Sequence, residues 1–403
     1  MPQCACAAAE PEERPVKPRD RTAFLGFDRD MTAALIAIGT SVPEARLPQS
    51  SARDFFAAQP GIDRLAARII GAAFDQSAIE NRHIVIGGGG GIGLFTDNGE
   101  QLGTPTTAER NALYRREAPA LYSAAATDAL SRTGLKASDI THVVTASCTG
   151  FFAPGPDFLL VQDLGIPSSA ERYHIGFMGC TAAFPALRLA SRICAAQPGS
   201  VVLVVCAELC SLHIRSSRDP EQIVASAVFA DGAAAAIVSS TTEGAHGPFF
   251  EIGDFSTAIT EEGQEDMDWT IGDRGFEMRL TAEVPRIIGR EIAGVVASML
   301  GQDADPLKTV DAWAVHPGGR SVLDRVQAGL GLPDTAMADS RAVLRDFGNM
   351  SSATILFILQ RLLADAALGD GSRVAGLCFG PGLTVETLRL TRREPSSGAQ
   401  AGA

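Results

Sequence analysis

The sequence predicts an α/β protein in which a buried sheet carries helices on both faces, laid down as two stretches of similar element order. Three observations predict it. Residues 201–207 and 232–239 are continuous apolar runs of strand length, without the alternation of a half-exposed strand. Helix-length segments such as 107–134 and 181–195 separate runs of this kind. After residue 240 the same alternation begins again. No sequence repeat is readable between the two stretches, so periodicity alone does not establish a duplication.

Taken in order, residues 1–22 are rich in Pro, Glu and Ala and read as a disordered tail, as do 393–403. A strand is expected at 31–39, mostly helix over 52–79, and a long helix over 107–134 that stops near Gly134. Strands follow at 142–147 and 172–178, with a helix at 155–164 between them. The helix 181–195 leads to the two apolar strands. In the second stretch, strands are expected at 249–257, 309–315, 373–379 and 383–390, and helices at 281–300, 319–330 and 350–368. These divide the chain into an N-terminal half, 23–240, and a C-terminal half, 241–392. The run Gly87-Gly88-Gly89-Gly90-Gly91-Ile92-Gly93 formally fits a dinucleotide fingerprint, but turn residues follow it instead of a helix. It reads as a surface loop.

The chain has 403 residues, 46% hydrophobic and 20% charged, with a net charge of −13. That balance argues against nucleic-acid or anionic-membrane partners. Eight cysteines are scattered through mostly apolar runs without a CxxC pair, which suits reduced thiols better than disulfides or zinc. The N-terminus lacks a signal-peptide layout and no apolar run reaches membrane-spanning length, so a cytoplasmic protein without an integral membrane segment is expected.

Three polar residues stand at the ends of apolar elements. Cys180 follows the strand-like Tyr173-His174-Ile175-Gly176 and precedes a helix start. The free N–H groups and positive dipole end there favour a thiolate. His316 ends an apolar strand and precedes Pro317-Gly318-Gly319, and Asn349 stands before the helix that begins near Ala353. Each type also has an ordinary role, as a packed thiol, a satisfied strand-end histidine or a helix N-cap.

Five ordered segments bear on the choice: Gly176-Phe177-Met178-Gly179-Cys180, Val228-Phe229-Ala230-Asp231-Gly232, Val315-His316-Pro317-Gly318-Gly319, Phe347-Gly348-Asn349-Met350-Ser351-Ser352 and Phe379-Gly380-Pro381-Gly382-Leu383-Thr384-Val385-Glu386. Together they resemble the type III polyketide synthases, the chalcone-synthase-like branch of the thiolase superfamily, over about residues 31–391. The resemblance implies a thiolase-type, five-layered αβαβα fold of two similar halves, and a homodimer. It implies that Cys180 is the acylated nucleophile, that His316 and Asn349 are its partners, and that Phe229 gates the pocket. The substrates would be an acyl-CoA starter and malonyl-CoA, with no metal or bound cofactor. An acyl carrier protein or fatty-acid synthase is a further possible starter donor.

The segments Cys148-Thr149-Gly150-Phe151-Phe152-Ala153-Pro154 and Cys206-Ala207-Glu208-Leu209-Cys210-Ser211-Leu212-His213 match cavity-lining stretches of the family. They place Cys148, Thr149, Cys210 and His213 at the pocket, and the resemblance adds Trp269, Met278 and Ser351. Ala153 and Met278 stand where plant members carry a Met that crosses the dimer interface and a second gating Phe. The wording is most similar to bacterial enzymes that take fatty-acyl starters and make alkylresorcinols or alkylpyrones. Trp269 leans towards resorcinol closure. Arg64 and Arg68 fall on the early helix where the family binds coenzyme A phosphates, and Cys378 replaces a glycine at the start of the family's last loop. Two rivals remain at this point: a ketoacyl-ACP synthase III-like or thiolase enzyme making a single condensation, and a non-catalytic thiolase-fold scaffold.

Overall fold

The computed structural model describes residues 33–87, 96–97, 101–302 and 304–395. The N-terminal tail, most of the glycine run and residues 396–403 lie outside the described residues.

The N-terminal half contributes strands β1 (Ala34–Ser41), β2 (His142–Ser147), β3 (Glu171–Gly176), β4 (Val201–Leu209) and β5 (Asp231–Ser239). Its helices are α1 (Gln49–Ala57), α2 (Arg64–Asp75), α3 (Thr107–Ser131), α4 (Pro156–Leu164), α5 (Ala183–Ala196) and α6 (Pro220–Val228). The expected helix over 52–79 is therefore two helices, with Asp63 capping the second through Ala66 N. The C-terminal half contributes β6 (Phe249–Ile259), β7 (Met267–Gly272), β8 (Gly275–Leu280), β9 (Ala312–Val315), β10 (Arg373–Gly380) and β11 (Thr384–Arg393). Its helices are α7 (Val284–Leu300), α8 (Arg320–Leu330), α9 (Ala338–Phe347) and α10 (Thr354–Ala364).

Strand pairing shows the relation between the halves that the residues alone concealed. The large sheet runs β9-β10-β11-β6-β1-β5-β4-β2-β3. In the N-terminal half β1 pairs antiparallel with β5, β5 antiparallel with β4, and β4 parallel with β2. In the C-terminal half β6 pairs antiparallel with β11, β11 antiparallel with β10, and β10 parallel with β9. The order and sense are the same. A short seam, Ala34 opposite Glu251 and Leu35 opposite Phe250, joins the two sets.

Alternation along the strands then builds the layers. Val202, Val204 and Cys206 of β4 face one core with α5 and α10, while Leu203, Val205 and Ala207 face another with α3. In the other half, Val374 and Cys378 of β10 join the α5–α10 core, whereas Ala375, Leu377 and Phe379 pack with α7 and α8. The stack is α3, sheet, α5 with α10, sheet, α7 with α8: the five-layered thiolase-type fold. Both central helices are covered on two sides, which explains why α10 reads Thr-Ile-Leu-Phe-Ile-Leu with all six residues buried. A bidentate ion pair from Arg188 of α5 to the buried Glu386 of β11, at 2.8 and 3.0 Å, ties the halves together.

Cys378 is a buried strand residue opposite Glu386 in β10, not a member of a loop. The reason is that β10 continues to Gly380 before the chain turns.

Candidate active site

Because the halves match, the start of α5 and the start of α10 are equivalent places, and the central layer brings them face to face. Each helix is entered through a 3-10 turn, Gly179–Thr181 before α5 and Ser351–Ala353 before α10. Cys180 lies in the first turn and is 8% exposed. Gly179 has φ +58°, and a side chain there would sit 2.6 Å from Pro381 Cδ. The nucleophile turn is thus clamped against the Gly380-Pro381-Gly382 segment, which accounts for glycine at this position.

The Cys180 thiol lies 3.6 Å from Ser351 Oγ and 4.0 Å from Asn349 Oδ1. Asn349 is fixed from both ends. Its N–H donates to Val228 O and its carbonyl accepts from Ala230 N, while Oδ1 accepts from Ser351 N at 2.8 Å. Its Nδ2 has only a long bond, 3.5 Å, to Gly318 O, which leaves donor capacity on the amide. Ser351 adopts φ +47°, rare for a residue with a side chain, and its hydroxyl lies between the thiols of Cys180 and Cys148.

His316 follows β9, and its N–H donates to Leu377 O. Its ring is fully buried, and among the described residues neither nitrogen has a hydrogen-bond partner. A buried imidazole without partners is rare and points to a group supplied from outside the chain. Cys180 and His316 do not form a preformed ion pair in this structure. No hydrogen bond joins Cys180 to His316, burial pushes the thiol up to about 11, and burial pulls the imidazole down to about 3. Both groups are neutral in this arrangement because each charge alone would be desolvated.

Cys180, Asn349 and Ser351 open onto a largely apolar cavity of about 680 Å³. Phe229, half-buried at the end of α6, lines it, as do Cys148, Thr149 and Cys210. Trp269 and Met278 line it from directly opposed positions on the β7–β8 hairpin, which sequence patterning missed. Its local signals are the Asp273-Arg274 turn between two glycines and the apolar–polar alternation of Met267–Ile271 and Phe276–Leu280 on either side. Trp269 Nε1 donates to Cys148 O at 2.6 Å, fixing the indole over the wall.

Behind that wall lies Glu208, a carboxylate that sequence reading left without a role. Fully buried, it accepts from Cys148 N, Cys148 Sγ, Ser147 Oγ, Thr149 Oγ1 and Ser352 Oγ, the last at 2.5 Å. Burial raises its pKa and, with the nearby carboxylate, raises that of Cys148 well above an ordinary thiol. Cys148 is therefore a thiol that donates, and one carboxylate locks the strand ends of β2 and β4 to the start of α10.

One expected pocket position is corrected. His213 does not line the cavity: it is a strut behind it, with Nε2–H donating to Thr149 O at 2.7 Å and Nδ1 accepting from Phe276 N at 3.0 Å. Its ring stacks on Phe276 at 4.2 Å, and burial pulls its pKa down to about 3. Arg64 and Arg68 are exposed on α2 outside the cavity lining, because Ile69, Ala72, Ala73 and Gln76 form the α2 face that borders it. The arginines that do border the cavity are Arg286, Arg320 and Arg325, on α7 and α8. Amphipathic spacing gave no means of separating these from ordinary solvated arginines.

Fold and facing helix starts define a thiolase-type enzyme. Residues 28–242 match the N-terminal domain of chalcone and stilbene synthases, and residues 254–393 match the C-terminal domain. The chain belongs to the chalcone and stilbene synthase family, the type III polyketide synthases, which are acyltransferase-type enzymes. Among its relatives is "Probable polyketide synthase 1" of Dictyostelium discoideum, 29% identical over 372 residues. That match covers 90% of this chain but only 12% of the relative, so the chain spans a small part of that protein's length. Among solved structures, the C-terminal type III polyketide synthase domain of Steely1, a type I/III hybrid from Dictyostelium, superposes with a TM-score of 0.82 at 28% identity, covering 89% of this chain and 99% of that one. PKS-I of the brown alga Ectocarpus siliculosus gives 0.78 at 29% identity, covering 89% and 98%.

Proposed function

We propose that the chain loads a fatty-acyl starter from coenzyme A onto Cys180, extends it iteratively with malonyl-CoA, and closes the product to an alkylresorcinol or alkylpyrone. The observation that carries this reading is the meeting of Cys180, Asn349 and Ser351 at one apolar cavity, with the unpartnered His316 on the adjoining strand end. A cavity with so little polar lining suits an alkyl chain.

In the first step the Cys180 proton moves to His316, so both charges appear together and neutralise each other in the desolvated site. The thiolate attacks the acyl thioester carbon, and coenzyme A leaves as the thiol. Malonyl-CoA then binds with its thioester oxygen towards His316 and Asn349 Nδ2. Loss of CO2 leaves an enolate, and these donors stabilise its oxygen as an oxyanion hole would. The enolate carbon attacks the Cys180 thioester, lengthening the chain by two carbons and freeing the thiol. Trp269, held over Cys148, favours carbon–carbon closure to a resorcinol over lactonisation, by limiting the folds open to the chain.

The acting form is a cytoplasmic homodimer. Two features support the dimer: among the described residues β3 is an exposed edge of the large sheet with no strand on its outer side, and Tyr173 within it and Met178 just after it are exposed. Among the described residues no helix is long and apolar enough to cross a membrane. The test incubates the protein with malonyl-CoA and acyl-CoAs of graded length and identifies products by mass spectrometry. Ring products from a long-chain starter support the reading. A β-keto product of one condensation supports the ketoacyl synthase alternative, and absence of carbon–carbon bond formation defeats both.

A further inference from the structure

One buried side chain behind the cavity wall joins Phe229 to the turn that carries Asn349. Arg82 lies in a short ribbon, in which 81–83 pairs with 46–48, and is 3% exposed. Its Nη1 donates to Ser226 O at 2.6 Å and to Phe229 O at 2.9 Å. The guanidinium also stands 5.5 Å from the centre of the Phe74 ring, and its Nε has no hydrogen-bond partner among the described residues.

The end of α6 explains part of this. The helix stops at Val228, directly before Phe229, so the carbonyls of its last turn need partners from outside the helix. Two buried side chains supply them. Gln49 Nε2 donates to Ala227 O at 2.7 Å, and Arg82 takes Ser226 O. Gln49 is neutral and stops at the helix. Arg82 brings a positive charge, which suits the negative helix end, and reaches one residue further, to Phe229 at the cavity wall. Burial pulls its guanidinium down to about 10, so the charge persists at neutral pH.

The stem of the same side chain packs on Gly348. A side chain at Gly348 would sit 3.0 Å from Arg82 Cγ and 3.1 Å from Ala230 Cβ. Gly348 has φ +74° and immediately precedes Asn349. Phe229 and Asn349 are themselves joined by a parallel bridge, with Asn349 N donating to Val228 O at 2.9 Å and Ala230 N to Asn349 O at 2.8 Å. Arg82 therefore stands behind this bridge, holding one side by hydrogen bonds and the other by contact.

We propose that Arg82 is a positioning residue that sets Phe229 and the Asn349 amide relative to each other, and so controls extender decarboxylation separately from starter loading. Cys180 is carried by a different turn, the one before α5, and loading does not depend on that register. The inference rests on the reading of Asn349 as a donor to the malonyl thioester oxygen.

Two ratios test it in the full chain. The first is the rate of malonyl-CoA decarboxylation divided by the rate of acyl loading on Cys180. Arg82→Met is expected to lower it about tenfold to a hundredfold, the loss that a displacement of about 1 Å causes. Arg82→Lys, which keeps the charge, is expected to recover part of it. Gln49→Met, which uncaps the same helix without touching Phe229, is expected to leave it unchanged. The second ratio needs no turnover: the rate at which a long-chain N-alkylmaleimide labels Cys180, divided by the rate for iodoacetamide, read by peptide mapping. Arg82→Met is expected to raise it about tenfold, because loss of a hydrogen bond at Phe229 eases local opening by about that factor.

Either ratio unchanged in folded Arg82→Met, or in Arg82→Lys where only that variant folds, overturns the proposal. An equal fall of the first ratio in Gln49→Met also overturns it and makes Arg82 an ordinary helix cap. So does failure of both Arg82 variants to fold, judged by circular dichroism, while Gln49→Met folds. If the labelling ratio depends on Arg82 but wild type does not decarboxylate malonyl-CoA, the positioning stands and the proposed reaction fails. Products from wild type with neither ratio moved by Arg82→Met give the reverse.

Discussion

Replacing His316 with alanine examines how the nucleophile acquires its charge. With the imidazole neutral, burial pushes the Cys180 thiol from 9.0 up to about 11. Two pH units correspond to about a hundredfold less thiolate at neutral pH than an ordinary cysteine carries. The imidazole, pulled down to about 3 by its own burial, does not hold a proton alone at that pH either. Ionisation at neutral pH therefore requires proton transfer within the pair, each charge being stabilised by the other, and the two groups titrate as a unit. His316→Ala leaves the thiol to ionise by itself.

The assay is the rate of Cys180 alkylation by iodoacetamide as a function of pH, resolved by peptide mapping because Cys148 and Cys210 line the same cavity. Wild-type reactivity is expected to reach a plateau near neutral pH. In His316→Ala the rate at pH 7 is expected to fall by about a hundredfold or more, then climb about tenfold per pH unit towards an inflection near 11. Circular dichroism checks that the variant is folded. A variant that retains the wild-type profile would refute the paired ionisation.

Three further expectations follow from named contacts. Asn349→Ala should still accept an acyl group on Cys180 but release CO2 from malonyl-CoA about 10²- to 10³-fold more slowly, because it loses one donor to the enolate oxygen; equal loss of loading and decarboxylation would assign Asn349 a structural role instead. Trp269→Gly should shift products from resorcinol towards pyrone, read by liquid chromatography and mass spectrometry, and an unchanged ratio would defeat the role given to the indole. Asp231 is fully buried, and burial raises its carboxyl from 3.8 to about 6 despite bonds from Val85 N, Ser211 N and Ser211 Oγ. Between those values the folded chain binds a proton that the unfolded chain has released, so stability falls as pH rises through the window, by roughly 3 kcal/mol. Wild type should lose that stability relative to Asp231→Asn in denaturant titrations between pH 4 and 6.5, and parallel curves would contradict the raised carboxyl.

Buried elements were the legible part of the fold. Residues 201–207 and 232–239 read as strands because a doubly covered strand must be apolar along its whole length, and both are strands. The β7–β8 hairpin does alternate apolar and polar residues, through Met267–Ile271 and Phe276–Leu280, but its strands are short and half-exposed and lack the continuous apolar run that marks the buried strands. The likeness of the halves was hidden for a related reason. Strand order and sense are set by pairing partners, and many apolar sequences satisfy the same pairing.

At the site, ordered motifs brought Cys180, Asn349 and Ser351 to one place, yet geometry around single residues was beyond them. His213 lies in a cavity-lining segment but points its bonds to Thr149 and Phe276. Arg64 and Arg68 share α2 with the cavity-facing Ile69 and Ala72, and the helix turn alone puts them elsewhere. The arginines of α7 and α8 become visible as a group only when the two helices are packed together.

The most direct measurement is the intact mass of the protein after brief incubation with a long-chain acyl-CoA, followed by peptide mapping. One acyl group is expected, attached as a thioester to the Cys180 peptide, with none on Cys180→Ala. Equal loading of Cys180→Ala, or an acyl group carried by Cys148 or Cys210, would contradict the assignment of Cys180 as the nucleophile.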